Sequence, residues 1–135
     1  MNSRYYVFKE SWYMPEVIEV ELSENKQEAE EQLVAKEREL RHKIDKIVSK
    51  HAVTYDGIYM ICADSFHDKN DEPNFYITNG QTVNAIHGNA FFSKRQVIGE
   101  EMVYVGLSRE DAERVLEGFN LLPTLDMVFD TTKIN

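Results

Sequence analysis

With one cysteine in 135 residues, the chain can close no intramolecular disulfide and build no all-cysteine zinc site. Cys62 stands in the apolar run Ile58-Tyr59-Met60-Ile61-Cys62-Ala63. That setting suits a buried small side chain, whereas a nucleophilic thiol needs a positive, partly exposed surrounding. Only three prolines and six glycines occur, the glycines all singly, so there is no Gly/Pro/Ser-rich linker, low-complexity tract or repeat. One globular domain over residues 1–135 is the expectation. The scattered glycines also exclude the phosphate-cradling loops GxxxxGK[ST] and GxGxxG, and neither GxSxG nor HExxH is present. No apolar stretch approaches the roughly 18 residues of a membrane span, and Met1-Asn2-Ser3-Arg4-Tyr5-Tyr6 does not lead into an export signal. A cytoplasmic protein with no membrane contact is expected.

Positive charge is also scarce. Lys and Arg number 15 against 24 Asp and Glu, a net charge of −9. Such a surface repels phosphate backbones, and bases do not interleave with the aromatic residues, so nucleic acid is an unsuitable partner. Residues 1–50 carry 9 bases and 11 acids and residues 51–135 carry 6 and 13, which concentrates the acidity in the second part. A protein with a basic surface is the partner that this charge would steer.

What is plentiful is burial potential: hydrophobic residues make up 42% and aromatic residues 11%, too much for a disordered chain. Tyr5 to Trp12 and the alternating Ile18, Val20 and Leu22 read as a hairpin whose second strand is half wet. Asn25 and Glu28 have capping-box spacing, with Ser23 as an alternative cap, and open a helix that the spacing of Ala29, Leu33, Leu40, Ile44, Ile47 and Val48 carries to about Ser49. Its apolar stripe is narrow, because the heptad between Leu33 and Leu40 holds Lys36 and Glu37. Glu37 is expected to pair with Arg41, and Glu39 with Lys43, on its surface. At about 36 Å this helix would outrun the core, which suggests a homodimer seam.

Tyr55 to Phe66 is apolar on both alternating faces and reads as a central strand. Asn79-Gly80 between two β-prone runs predicts a tight hairpin, and strands follow near Ala90 to Ser93 and Met102 to Val105. Ser108 caps a short second helix ending at Gly118 or Asn120, and Leu125, Met127 and Phe129 form a last strand. The fold class is α+β: a curved antiparallel sheet of about six to seven strands with one long and one short helix, in the order ββαββββαβ.

No catalytic set emerges, and no cofactor is implied. The leading functional expectation is a protein-binding module, an inhibitor or adaptor, whose partner-binding surface combines Tyr6, Trp12 and Tyr13 with Glu110, Asp111 and Glu113. The alternative is a small-molecule binder with a pocket between sheet and long helix lined by Tyr59, Tyr76 and Phe92, with Lys94 and Arg95 for an anionic group. A third reading takes Asp64, His67 and Asp68 as ligands of a metal-assisted hydrolase. Against a calcium-loop template, Asp68, Asn70 and Glu72 fit the first positions, but Pro73 replaces the turning glycine and Asn79 the bidentate glutamate.

Overall fold

The computed structural model of the chain describes residues 2–44, 49–54, 57–63, 73–78, 83–119 and 124–130; for 49–54, 63, 78 and 124–130 it does so at the level of the backbone. The architecture is α+β, and the described residues form two helices and a curved, open, mainly antiparallel sheet of nine strands. Strands β1 (Ser3–Lys9) and β2 (Glu16–Glu21) form the first hairpin, in register from Ser3 opposite Glu21 to Phe8 opposite Glu16. In β2 Val20 is buried while Glu16, Glu19 and Glu21 are exposed, the alternation of an edge strand with one wet face.

Helix α1 (Lys26–Arg41) starts at Asn25, whose side chain accepts the Glu28 backbone N–H at 3.1 Å. The Glu28 carboxylate does not reach back to the cap itself; it accepts the Ser23 hydroxyl at 2.8 Å, and Ser23 Oγ accepts the Asn25 N–H at 3.1 Å. The two candidate caps therefore act in series. The helix stops at Arg41, well short of Ser49, so at 16 residues it is about 24 Å long and does not outrun the sheet. The chain beyond it re-forms as strand β3 (Ser49–Thr54), which pairs with β4 (Ile58–Ala63) from Ser49 opposite Ala63 to Val53 opposite Tyr59.

Strands β5 (Phe75–Thr78) and β6 (Val83–Ile86) pair antiparallel, but with Thr78 opposite Val83 rather than opposite Gln81 as a two-residue Asn79-Gly80 turn would set it; the expected turn itself lies outside the described residues. Strand β7 (Ala90–Ile98) is the longest. Its first half lies between β1 and β4, and its second half pairs with β8 (Glu101–Tyr104) around a two-residue turn in which Gly99 has φ +65°. Helix α2 (Arg109–Gly118) opens with a complete capping box between Ser108 and Asp111. Strand β9 (Thr124–Asp130) then inserts between β3 and β5, giving the order β2-β1-β7-β4-β3-β9-β5-β6. The β5–β9 ladder is parallel, the one departure from the antiparallel scheme among the described ladders. The observed order carries two strands more than ββαββββαβ.

In a flat sheet β5 would lie about 19 Å from β7, four strand spacings away. The Phe75 and Phe92 rings nevertheless have centroids 6.1 Å apart. The sheet therefore curls around one core, closed by α2, in which Phe119 meets Phe75 and Phe92 edge-on at 5.2 and 5.8 Å. The opposite face carries a second core of Tyr6, Phe8, Val20, Ile61 and Phe91 beneath Leu33 and Leu40 of α1. Strand β4 serves both, with Ile58, Met60 and Cys62 in the first core and Ile61 in the second, which is the two-sided burial expected of a central strand.

Candidate functional site

Three features concentrate polar chemistry or exposed apolar surface, and β7 connects them. The first lies under α1. Glu37, four residues from Leu33 and three from Leu40, follows the buried face and is only 1% exposed. Its Oε1 accepts Arg95 Nη2 at 3.1 Å, so the expected surface pairing with Arg41 gives way to a buried ion pair across the helix–sheet interface. The Arg95 guanidinium sits 4.0 Å from the Tyr59 ring centroid and 4.7 Å from that of Tyr104, a cation–π sandwich. Burial raises the Glu37 carboxyl above its usual range, with Arg95 opposing the shift, and burial also raises the Tyr59 and Tyr6 hydroxyls. Glu37 Oε2, Arg95 Nε and Ser93 Oγ are buried without a hydrogen-bond partner.

Lys94, the next residue along β7, points to the other face and meets Asp111 of α2 at 3.3 Å. Burial would raise the Asp111 carboxyl, but hydrogen bonds from Ser108 and Lys94 outweigh it and hold it below the usual carboxylate range. Two neighbouring cations on one strand thus tie the two helices to opposite faces. Where β7 passes from β1 to β8, a groove of about 750 Å³ opens, lined by Arg4, Lys94 and Arg95 together with Leu22, Leu33 and Val105. Arg4 donates to the carbonyls of Val105 at 2.7 Å and Gly106 at 3.0 Å, where Gly106 has φ +69° and an added Cβ would stand 3.1 Å from Arg4 Cβ.

At the far end of β1, the turn into β2 exposes Trp12, Tyr13 and Met14 at 80%, 65% and 78%. Trp12 has φ +73° and is the one non-glycine residue with positive φ among those described. A bulky residue in the left-handed region costs about 1 kcal/mol, which no burial of the indole recovers. The base of this turn is fixed. Ser11 N–H donates to Asn89 Oδ1 at 3.2 Å, and Asn89 Nδ2 donates to the Lys43 carbonyl at 3.1 Å. Lys9, buried by the adjoining strands, donates to Asn74 Oδ1 at 2.6 Å and the Glu10 carbonyl at 3.0 Å, and burial lowers its ammonium pKa.

The residues expected to form one partner surface separate. Tyr6 is fully buried, its hydroxyl 3.3 Å from the Leu33 carbonyl, because β1 is an interior strand covered by α1; it cannot belong to a contact surface. Trp12 and Tyr13 lie beyond the Lys9–Ala90 end of the β1–β7 ladder. Glu110 and Glu113 are exposed on α2, where Asp111 is held by Lys94, toward the other end of β7. The expected pocket set also divides. Tyr59 and Arg95 stack under α1, Phe92 and Lys94 face α2, and half-buried Tyr76 alternates with the buried Phe75 and Ile77. Of these five, Lys94 and Arg95 share the groove, which β1, β7 and the start of α2 line together with Leu33 of α1.

Asp64, His67 and Asp68 lie outside the described residues. Among the described residues no group of three or more His, Cys, Asp and Glu side chains could hold a metal ion, and no helix is long and apolar enough to cross a membrane. Sequence reasoning missed Glu37, Arg4, Ser93 and Tyr104. For Glu37 the signal was present, since 33, 37 and 40 fall on one helical face; for the others only the strand pairing brings them together. No family model, curated protein or solved structure matches the chain.

Proposed function

We propose that the chain is a cytoplasmic protein-binding module, an inhibitor or adaptor, that engages its partner through the Trp12-Tyr13-Met14 tip. The observation that carries this reading is the combination of large exposed apolar side chains with a left-handed Trp12 on a braced turn. Neither exposure nor strain stabilises the fold, while a rigid aromatic tip loses little conformational entropy when it enters a pocket. Exposed Glu10 and Glu16 flank the tip, so the complementary surface is an apolar pocket with a basic rim, in keeping with the net charge of −9. A lone buried thiol needs no oxidising compartment.

Native mass spectrometry of the chain isolated gently from its source cytoplasm tests the reading. A stoichiometric protein complex that disappears when Trp12→Ser, Tyr13→Ser and Met14→Ser are combined, with the fold retained, supports it. A mass of two chains sensitive to the same substitutions assigns the tip to a homodimer. A complex indifferent to them, or a bare monomer, removes the tip from function.

A further inference from the structure

We infer that the groove between β1, β7 and the start of α2 binds a small organic anion: a carboxylate or phosphate head group on an apolar body. In a chain of net charge −9 this groove gathers Arg4, Lys94 and Arg95 beside Glu110 and Asp111, with Arg95 paired to Glu37 behind the wall and Lys94 to Asp111. Asp111 is already neutralised, because Lys94 and the Ser108 N–H both bond its Oδ2. It also occupies the first turn of α2, so the helix end itself is filled by the chain's own carboxylate. The side chains supply the site instead.

Lys94 places one N–H on Asp111 and retains the others, on a side chain that is 30% exposed. Arg4 uses Nε and one Nη2 hydrogen on the Val105 and Gly106 carbonyls, which fix the guanidinium in place and leave its remaining donors for an acceptor. Arg95 closes the back of the groove, its charge already paired with Glu37 and its guanidinium faces covered by Tyr59 and Tyr104. Leu22, Leu33 and Val105 form the apolar part of the wall, which a bare inorganic ion would leave unused. The groove and the aromatic tip lie toward opposite ends of β7, so this site stands or falls independently of the proposed partner surface.

The test is a titration with benzoate and with phenyl phosphate, followed by NMR at the Leu22 and Leu33 methyl groups and the Arg4 side chain, at constant ionic strength. Saturable shifts with at least one probe are expected, tighter than with inorganic phosphate, and weakened about tenfold or more by combined Arg4→Gln and Lys94→Gln. Glu110→Gln, at an exposed position that no fold contact requires, should tighten binding about threefold, as for one unit charge removed roughly 6 Å from the ligand in water. That variant decides the matter if loss of the Arg4 contacts impairs folding. No saturable shift up to about 10 mM, equal binding by the folded double glutamine variant, or no tightening with Glu110→Gln would each overturn the site. Inorganic phosphate binding as tightly as phenyl phosphate would overturn the apolar-bodied ligand.

Discussion

Phe91 and Phe92 are neighbours on β7, yet Phe92 enters a core of hydrocarbon and aromatic edges while Phe91 enters one that also holds Glu37, Ser93, Arg95 and Tyr6. On the α2 side the buried side chains are apolar, and by strand alternation the buried Lys9 sits at the margin with Asn74. On the α1 side a helix with few apolar residues to offer is held by an ion pair and a cation–π sandwich as well as by Leu33 and Leu40. The difference teaches that α2 docks through an apolar face with its ion pair to Lys94 at the margin, whereas docking of α1 depends on the register that brings Arg95 beneath Glu37 in the buried interface.

The sharpest way to break this comparison is at the apolar centre. Phe92→Ala should cost about 3–5 kcal/mol in denaturant unfolding, because it removes a tilted ring contact with Phe75 and an edge-on contact with Phe119 and leaves a cavity. Next comes the polar face: Arg95→Met should cost about 3 kcal/mol by leaving Glu37 buried without its cation, and adding Glu37→Leu should restore most of it. If the double variant is no better than Arg95→Met, the pair is worth more than its hydrophobic replacement and the contrast between faces is overstated.

Acid sharpens the comparison because the two carboxylates respond with opposite sign. Glu37 has a raised folded pKa, so its contribution is fully present below the ordinary glutamate range and is lost as pH rises through the folded value. Asp111 has a lowered folded pKa, so its contribution is present above the ordinary aspartate range and is lost as pH falls through the folded value. Asp111→Asn should therefore destabilise by about 1 kcal/mol at neutral pH and by less in acid, read from thermal unfolding across pH 3 to 7. Glu37→Gln should change stability most at neutral pH and least in acid, where Glu37 is already neutral. The smallest effect is expected outside both cores: Trp12→Gly relieves a left-handed tryptophan and should shift stability by about 1 kcal/mol or less, toward greater stability.

Period-two alternation in β2, the Ser108 cap, the two-sided apolar run of β4 and the β5–β6 hairpin were legible because each is encoded within a few residues. The end of α1 was not. Ile44, Ile47 and Val48 continue its spacing, yet the helix ends at Arg41 and by Ser49 the chain is strand, paired with β4 through contacts set by residues distant in the chain. Burial of Tyr6 was hidden for a related reason, since an aromatic-rich first strand reads the same at an edge as in the interior, and the β1–β7 ladder decides. The groove combines residues from β1, β7 and α2 that are separated by up to 107 positions, from Arg4 to Asp111, so spacing could nominate Lys94 and Arg95 but not their third cation.

The neighbouring cations of β7 have one more consequence. Its sequence sets like beside like, Phe91 with Phe92 and Lys94 with Arg95, but sliding the strand by one residue matches only one phenylalanine and one cation and brings Phe92 or Lys94 to the buried position of Ser93. The small buried Ser93 therefore opposes the slipped pairing. The ends of the strand share the task, since Gly88 and Gly99 hold positive φ at the turns that bound it. A residue inserted between Lys94 and Arg95 would accordingly turn Arg95 to the other face of the sheet, away from Glu37 and the Tyr59 and Tyr104 rings.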